Sequence, residues 1–297
     1  MQIAVTGTHG LIARHLIPAL EAAGHRVLAL VRGEPGPGQV HWDPDAGELN
    51  GADLVGIDAA IHLAGVGIFR RWSAEHKRRM LDSRVKGTTL LAARLAGLDH
   101  RPAVLLSGSA VGYYGDRGDE ILTEESKQGA GFLADLCAQW EAATESAAAA
   151  GIRTVILRTG IVQTGDGGGL GTQLPIFRLG AGGRLGSGRQ WTSWITIDDE
   201  VGAILHALGH DDLSGPINLT APEPVTNRTY TKVLGQVLHR PALLVVPAPA
   251  IKAVLGTQMA EEMLLGGQRA LPAALERSGY HFGHPDLAGG LTAVLDR

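Results

Sequence analysis

The sequence predicts an α/β fold, a doubly wound parallel sheet with a second, smaller subdomain. Three observations favour this class. Strand-like and helix-like segments alternate over the first 160 residues, which is typical of βαβ units. A glycine-rich turn follows the first strand. Glycine is also abundant, at 42 of 297 residues, about twice the usual share, and this suits a protein with many tight turns.

The elements can be assigned in order. The predicted strands of the first part are Gln2–Thr6, Arg26–Val31, Ala59–Leu63, Ala103–Ser107 and Arg153–Leu157, and the predicted helices are Leu11–Ala23, Trp72–Leu95 and Phe132–Ala150. Later come strands at Trp194–Ile197 and Pro216–Leu219, a helix that Asp198 could cap, and a short helix beginning at Thr226. Residues 1–160 are expected to form the sheet domain. Residues 161–297 are expected to form mainly a substrate-binding subdomain and a helical C-terminal region, with 193–210 returning to the sheet.

Composition and charge narrow the class of protein. The net charge of −4, with 44% hydrophobic residues, predicts a packed core and no nucleic-acid partner. A single cysteine, Cys137, excludes an internal disulfide, and the twelve histidines lack metal-ligand spacing, so no metal site is expected. No signal peptide or membrane-spanning segment is recognisable, which predicts a cytoplasmic protein without a membrane partner.

The clearest motif is the sequence VTGTHGLIA. It places Gly7, Gly10 and Ala13 between the first strand and the first helix. Such spacing provides a tight turn, close approach of the backbone to a pyrophosphate and close helix–strand packing, as in Rossmann dinucleotide-binding domains. The residues expected at the cofactor in this turn are Gly7, Thr8, His9, Gly10, Leu11 and Ile12.

The end of the second strand indicates which dinucleotide is bound. An acidic residue there would bind the ribose 2′-hydroxyl of NAD, but Arg32 follows the strand and no acid precedes Glu34. Because a guanidinium pairs with phosphate, NADP(H) is favoured over NAD(H), unless Arg32 is only an exposed loop residue. Asp43 and the segment Leu63, Ala64 and Gly65 are expected on the adenine side.

The order TGTHGLIA, HLAG, SGSAVGYYG, LRTG and WITIDD resembles the extended short-chain dehydrogenase/reductase superfamily. The segments FLADLCAQWEAA, GSGRQWTSWITIDD and LLGGQRALPAAL are similar to its atypical epimerase-like subgroup, whose members are labelled NAD(P)-dependent sugar-nucleotide epimerases. The resemblance covers nearly the whole chain. It implies the fold, a small helical C-terminal domain and NAD(P), whereas the reaction is not fixed by the fold.

The resemblance also locates departures at the catalytic centre. The superfamily's Tyr-x-x-x-Lys pair falls on Leu133 and Cys137, neither of which moves a proton at neutral pH. Its helix asparagine falls on Arg84, which we expect at a cofactor phosphate or an anionic substrate. Its serine is best matched by Ser109, with Ser107 as the register-shifted alternative near the cofactor.

Two tyrosines offer a proton route in place of the missing pair. Tyr113 and Tyr114 follow the strand that carries Ser109, at the edge that opens onto the ligand crevice. We expect Ser109 and one of the two to orient or protonate a substrate oxygen. The alternative is that Tyr114 packs beneath the loop and Ser109 caps a turn.

The substrate segment departs from relatives as well. The arginine that clamps a nucleotide diphosphate falls on Thr192, and an expected histidine falls on Thr196. Arg189 or Arg184 could compensate for the missing arginine. Trp191 and Trp194 are expected to share one strand face and to line the substrate pocket, or else to anchor the subdomain.

These features together predict an enzyme, an NADP(H)-dependent oxidoreductase that transfers hydride to or from a small metabolite, on a carbonyl or similar bond. A nucleotide-sugar epimerase or dehydratase and a non-catalytic NADP-binding sensor or interaction protein are the alternatives. The expected partner is a small-molecule substrate. A monomer and a homodimer are both consistent with the sequence.

Overall fold

The structure is a computed structural model and describes residues 1–296. Strands β1 to β15 are, in chain order, Gln2–Thr6, Arg26–Val31, Gln39–His41, Ala59–His62, Val104–Ala110, Ile121–Leu122, Arg153–Thr159, Ile161–Gln163, Gly183–Leu185, Trp191–Thr192, Trp194–Thr196, Gly215–Leu219, Val225–Thr226, Leu244–Val246 and Arg269–Ala270.

Helices α1 to α11 are Leu11–Ala22, Ala74–Ala96, Phe132–Ala142, Glu145–Ala149, Gly168–Arg178, Ile197–Gly209, Asn227–Val237, Ala248–Leu255, Thr257–Ala260, Ala273–Arg277 and Leu287–Leu295. Short 3₁₀ turns cover Gly51–Leu54 and Val111–Tyr114. A π-helical turn covers Glu261–Leu265.

Seven strands form the central sheet, in the order β12-β7-β5-β4-β1-β2-β3, and all neighbours are parallel. The chain starts in the middle at β1, moves outward to β2 and β3, and then returns to β4 on the other side. This reversal makes the boundary between β1 and β4 a topological switch point, where ligands bind at the carboxyl ends of open α/β sheets. The doubly wound parallel sheet that the sequence predicts is therefore confirmed.

The sheet is covered on both faces, as the apolar strands require. Alternation along β1 sends Ile3 and Val5 to the core that contains Leu16 of α1. It sends Ala4 to the opposite core, which contains Leu91 of α2. Helix α6 packs on the α1 side and contacts β5 and β7. The segment that follows Trp194 thus covers the dinucleotide-type sheet.

Four two-stranded ladders lie outside the central sheet, and one of them joins the second half of the chain to the first. These are β10 with β13, β8 with β11, β9 with β14, and β6 with β15. The last of them joins Arg269–Ala270 to Ile121–Leu122. The C-terminal region is therefore anchored to loops at the carboxyl edge of the sheet.

Two predicted helix features differ in the structure. The helix expected at Phe132–Ala150 is interrupted between Ala142 and Glu145, because the Thr144 hydroxyl donates to the carbonyl of Glu141 at 2.7 Å and competes with the helical ladder. Asp198 is not the N-cap of α6. Thr196 has that role, and its hydroxyl accepts the amide of Asp199 at 3.2 Å.

A fully buried carboxyl group lies in the first turn of α6. Glu200 accepts a hydrogen bond from the Thr159 hydroxyl at 2.8 Å, and its second oxygen has no partner among the described residues. Burial raises the pKa of Glu200 to about 8. The folded protein therefore holds this carboxyl group in its neutral form at pH 7.

The raised pKa predicts a loss of stability with rising pH. Between pH 4.5 and 8 the unfolded chain releases the Glu200 proton while the folded chain retains it, so the free energy of unfolding falls, on the order of 3 kcal/mol over this window. Glu200→Gln keeps an acceptor for Thr159 and should flatten the fall, as measured by urea unfolding at pH 5 and pH 8. Glu276→Gln, at an exposed position, should behave as wild type. Parallel curves for wild type and Glu200→Gln would contradict the assignment.

Candidate active site at the switch point

The turn between β1 and α1 approaches the neighbouring loop too closely for any residue but glycine. Gly7 has φ +70°, and a Cβ atom there would lie 2.7 Å from the carbonyl carbon of Leu63. Gly10 caps α1 without a side chain, so no side chain covers the first amides of the helix. Such an uncapped, positively polarised terminus binds anions.

The buried hydroxyl of Thr6 holds the two loops together. It accepts the amides of Leu63 at 3.1 Å and Ala64 at 3.3 Å, and it lies 2.7 Å from Nδ1 of His62. Since a hydroxyl group has one proton and two lone pairs, Thr6 donates to His62, whose proton then resides on Nε2. Burial, and then the charge of Arg84, lower the pKa of His62 to about 4, which keeps the ring neutral at pH 7.

Arg32, predicted at the 2′-phosphate, and Asp43, predicted on the adenine side, lie after β2 and β3, whereas Leu63, Ala64 and Gly65 follow β4. Arg32 directly follows β2, is about half exposed and lies 3.5 Å from Asp45. Asp43 stabilises its own turn, because its Oδ1 accepts the amides of Asp45 and Ala46. These two backbone hydrogen bonds lower the pKa of Asp43. Its contact with adenine stays a prediction.

Arg84 lies directly against Gly65, where a Cβ atom would be 3.1 Å from the guanidinium carbon. Its NH1 group donates to the carbonyls of Val66 and Met80 at 3.0 and 3.1 Å, and the guanidinium stacks on Trp140. Arg84 thus supports the loop after β4. Its predicted contact with a bound anion stays a prediction.

A buried polar network occupies the carboxyl ends of β5, β7 and β12. Arg158 forms a bidentate pair with Glu141, with both N–O distances 2.8 Å. The Ser109 hydroxyl donates to Oε1 of Glu141 at 2.7 Å. Arg158 also donates to the hydroxyl of Tyr114, which in turn donates to Asn218 at 2.7 Å. Because both side chains of the Arg158–Glu141 pair are largely buried, removing either partner would leave the charge of the other uncompensated.

The structure places the predicted serines and tyrosines in different surroundings. Tyr114 is fully buried and burial raises its pKa to about 12, so it packs beneath the loop and is not a proton donor. Ser107 is also fully buried, opposite His62 in the sheet, and its hydroxyl has no hydrogen-bond partner among the described residues. Ser109 directs its proton at Glu141. Tyr113 remains, half-buried, with Arg158 3.6 Å from the centre of its ring.

Helix α3 presents no acid or base at the superfamily positions. Leu133 and Cys137 both approach Gly112, where a Cβ atom would lie 3.4 and 3.8 Å from them. Cys137 is buried, and burial raises the pKa of its thiol to about 12. The thiol is therefore protonated at pH 7, as an inert core cysteine is.

A cleft of about 550 Å³ opens beside these residues. Its lining residues come from the Gly112–Gly115 turn, the start of α3, the loop after β9 and the C-terminal region. Glu262, on the π-helical turn, accepts the amides of Phe132 and Leu133 at 3.1 and 2.8 Å. This carboxylate caps α3 from a position 129 residues away in sequence, and it closes one side of the cleft.

The tryptophans do not form the predicted pocket wall. Trp194 is fully buried in the main core, and its indole donates to the Glu223 carbonyl at 2.9 Å. Trp191 belongs to a different ladder and donates to Asp119 at 2.8 Å. Residues three positions apart point to opposite faces of a strand. The prediction that Trp191 and Trp194 share one strand face was therefore wrong. Arg189 is exposed and does not line the cleft.

Several cleft residues were not found from the sequence. Asp116, Lys252, Glu261 and Glu262 line it, and Lys252 pairs with Glu261 at 2.6 Å. In the sequence, only the neighbouring acids Glu261 and Glu262, just before the LLGG segment, offered a signal. Their contact with α3 joins distant parts of the chain, so no local sequence pattern could predict it. Across residues 1–296 the structure contains no group of His, Cys, Asp or Glu that could hold a metal ion. No helix in that range could span a membrane.

The fold and the switch-point geometry define a dinucleotide-binding α/β protein of the short-chain dehydrogenase/reductase type. A family profile described as the NAD dependent epimerase/dehydratase family matches residues 3–219, and one described as a domain of unknown function (DUF1731) matches residues 246–294. The chain belongs to the NAD dependent epimerase/dehydratase family. The predicted family membership is thereby confirmed.

Similar proteins match nearly the whole of this chain. "Epimerase family protein Mb2239" of Mycobacterium bovis is 45% identical, over 99% of this chain and 98% of that protein. The crystal structure of human epimerase family protein SDR39U1 (isoform2) with NADPH is 34% identical, with a TM-score of 0.90 over 100% and 99% of the two chains. A nucleoside-diphosphate sugar epimerase from Corynebacterium glutamicum is 38% identical, with a TM-score of 0.81 over 99% of this chain and 59% of that one.

The Thr6 hydroxyl can be tested directly. Thr6→Val leaves two amides and a histidine nitrogen without their partner, so the free energy of unfolding should fall by about 2 kcal/mol or more. NADPH binding should also weaken, because the two loops lose their link. Thr6→Ser keeps the hydroxyl and is the matched control. Urea unfolding and fluorescence titration measure both effects; equal stability of the Val and Ser variants would contradict the role.

Proposed function

We propose that this protein is an NADP(H)-dependent oxidoreductase that exchanges hydride with a carbonyl or similar group of a small metabolite. The observation that carries the proposal is the glycine-lined crevice between β1 and β4, together with the 550 Å³ cleft, whose lining includes the turn that follows β5 at the same edge of the sheet. A cofactor and a substrate bound in these two places would meet at the carboxyl edge of the sheet. This is where ligands bind in doubly wound folds.

The residues present fit a dinucleotide. Gly7 leaves no room for a side chain against Leu63, and Gly10 leaves the amides of α1 uncovered, which suits a pyrophosphate. Arg32, exposed at the end of β2, would pair with a 2′-phosphate. The NADPH in the structure of the human relative is consistent with this choice. The cofactor, when bound, supplies the hydride chemistry.

The charges of the cleft favour an uncharged or cationic substrate. Three carboxylates, from Asp116, Glu261 and Glu262, line it against one ammonium group, that of Lys252. Thr192 stands where relatives place an arginine for a diphosphate. An anionic substrate would therefore be repelled at close range, and this counts against a nucleotide sugar.

Leu133 lines this cleft, and Ser109 and Tyr113 lie close to its Gly112 wall in the sequence. The Ser109 hydroxyl donates its proton to Glu141 in a hydrogen bond, so it can accept a further hydrogen bond but cannot protonate a substrate oxygen. Tyr113 is the remaining tyrosine at this edge and would approach the substrate. Leu133 contributes an apolar wall and excludes water from the reacting bond.

A non-catalytic sensor is the second candidate function. Leu133 and Cys137 replace the proton-transfer pair of the superfamily, and the thiol of Cys137 is protonated and buried. Such a protein would bind the cofactor and undergo a change in contacts without turnover.

Cofactor choice is tested by fluorescence titration with NADPH and NADH. Arg32→Ala should weaken NADPH binding about tenfold, because a charge-assisted hydrogen bond to phosphate contributes about 1.5–3 kcal/mol, and should leave NADH binding unchanged. Arg26→Ala is the matched control at the opposite end of the same strand. Equal loss of both cofactors in Arg32→Ala, or none, would contradict a 2′-phosphate contact.

Turnover is tested by the absorbance of NADPH with neutral aldehydes and ketones, and by product analysis with UDP-glucose. We expect NADPH consumption with a neutral carbonyl and no conversion of UDP-glucose. Tyr113→Phe should lower turnover at least about tenfold without changing Tm, whereas Tyr114→Phe should lower Tm, because it breaks buried hydrogen bonds. Tight binding without consumption would favour the sensor, and conversion of UDP-glucose the epimerase.

A further inference from the structure

A second groove, separate from the cleft, lies between α7 and the β9–β14 ladder. Its volume is about 860 Å³, and it shares no lining residue with the cleft. One wall is a single face of α7, from Arg228 through Lys232 to Gln236, whose spacing of four places the side chains in a row. The opposite wall consists of Arg184 and the segment 241–244.

The groove collects cations that no carboxylate neutralises. Arg184, Arg228, Lys232 and Arg240 line it, and its described lining contains no Asp or Glu. None of the four belongs to an ion pair within residues 1–296. In a chain of net charge −4, this is a local positive field that attracts anions.

Backbone carbonyls hold the three arginines in place. Arg184 donates to the carbonyl of Gly186 at 2.5 Å, and Arg228 to that of Ser187 at 3.3 Å. Arg240 donates through Nε to the carbonyl of Arg178 at 3.0 Å. A carbonyl fixes a guanidinium but leaves its charge and its other donors available. The groove is therefore pre-organised for an external anion.

The backbone at the end of α7 is unusual at the same place. His239 has φ +52° and is the one non-glycine residue with positive φ in the described chain. Its neighbour Arg240 closes the helix by donating its amide to the carbonyl of Gly235 at 2.9 Å. Glycine normally occupies this position. His239 therefore lines the groove in a left-handed conformation that residues other than glycine rarely adopt.

We propose that this groove binds a small molecule that carries at least two phosphate groups. The planar guanidinium matches phosphate geometry, and several fixed cations suit a ligand of several negative charges. Pro241, Ala242 and Leu243 provide an apolar surface for its organic part. The acidic cleft and this basic groove would then take different ligands.

The test is calorimetric titration of the full chain with inorganic pyrophosphate at about 0.15 M salt, where long-range attraction is screened. Pyrophosphate should bind, and orthophosphate more weakly. Arg184→Gln/Lys232→Gln should weaken pyrophosphate binding at least about tenfold. Lys127→Gln/Arg277→Gln removes the same charge from exposed sites outside the groove and should change it less than about twofold.

Lys232→Gln alone, at an exposed helix position, repeats the test if the double variant does not fold, and should weaken binding in the same direction. Titration in the presence of saturating NADPH should give the same affinity, since the groove lies apart from the crevice. Absence of pyrophosphate binding, or equal losses in the groove and control variants, would overturn the proposal. So would binding of single-stranded RNA or of vesicles containing phosphatidic acid in place of pyrophosphate.

Discussion

The close approach of two backbone loops at the switch point is the constraint on which the site depends. Gly7 packs against the carbonyl carbon of Leu63 at a distance that no side chain tolerates, and the Thr6 hydroxyl binds the amides of the same loop. The first contact is steric and the second consists of hydrogen bonds. Together they fix the separation of β1 from the loop after β4. This separation places the uncapped start of α1 beside the loop after β4.

The carboxyl edge next to the crevice is held by a different interaction. Glu141 and Arg158 join α3 to β7 through a bidentate pair, and Ser109 and Tyr114 are hydrogen-bonded to that pair. The network fixes the carboxyl end of β7 against α3 by burial and charge pairing, whereas Leu133 and Cys137 on the same helix contribute apolar contacts to Gly112.

The sequence predicted what local patterns encode. The strands Gln2–Thr6 and Arg26–Val31 have their predicted bounds, because each is an apolar run between turn signals. The helix break after Ala142 depends on one hydroxyl of Thr144, which competes with a strong helical pattern. The prediction that Trp191 and Trp194 share one strand face was wrong. The two residues lie in different strands, β10 and β11, which are separated by Ser193 and pair with different partners. Glu262 was missed, since its partners lie in a distant part of the chain.

The capping of α3 by Glu262 bears on whether the C-terminal region of this protein could be exchanged for that of another protein. The two family profiles, over 3–219 and 246–294, suggest exchangeable modules. Yet residues from the second region complete the first: Glu262 satisfies the amides of α3, the carbonyl of Leu271 binds Asn218, and β15 extends β6. A foreign C-terminal segment would have to bring an equivalent carboxylate and strand. Replacing one region alone would therefore leave polar groups of the other without their hydrogen-bond partners.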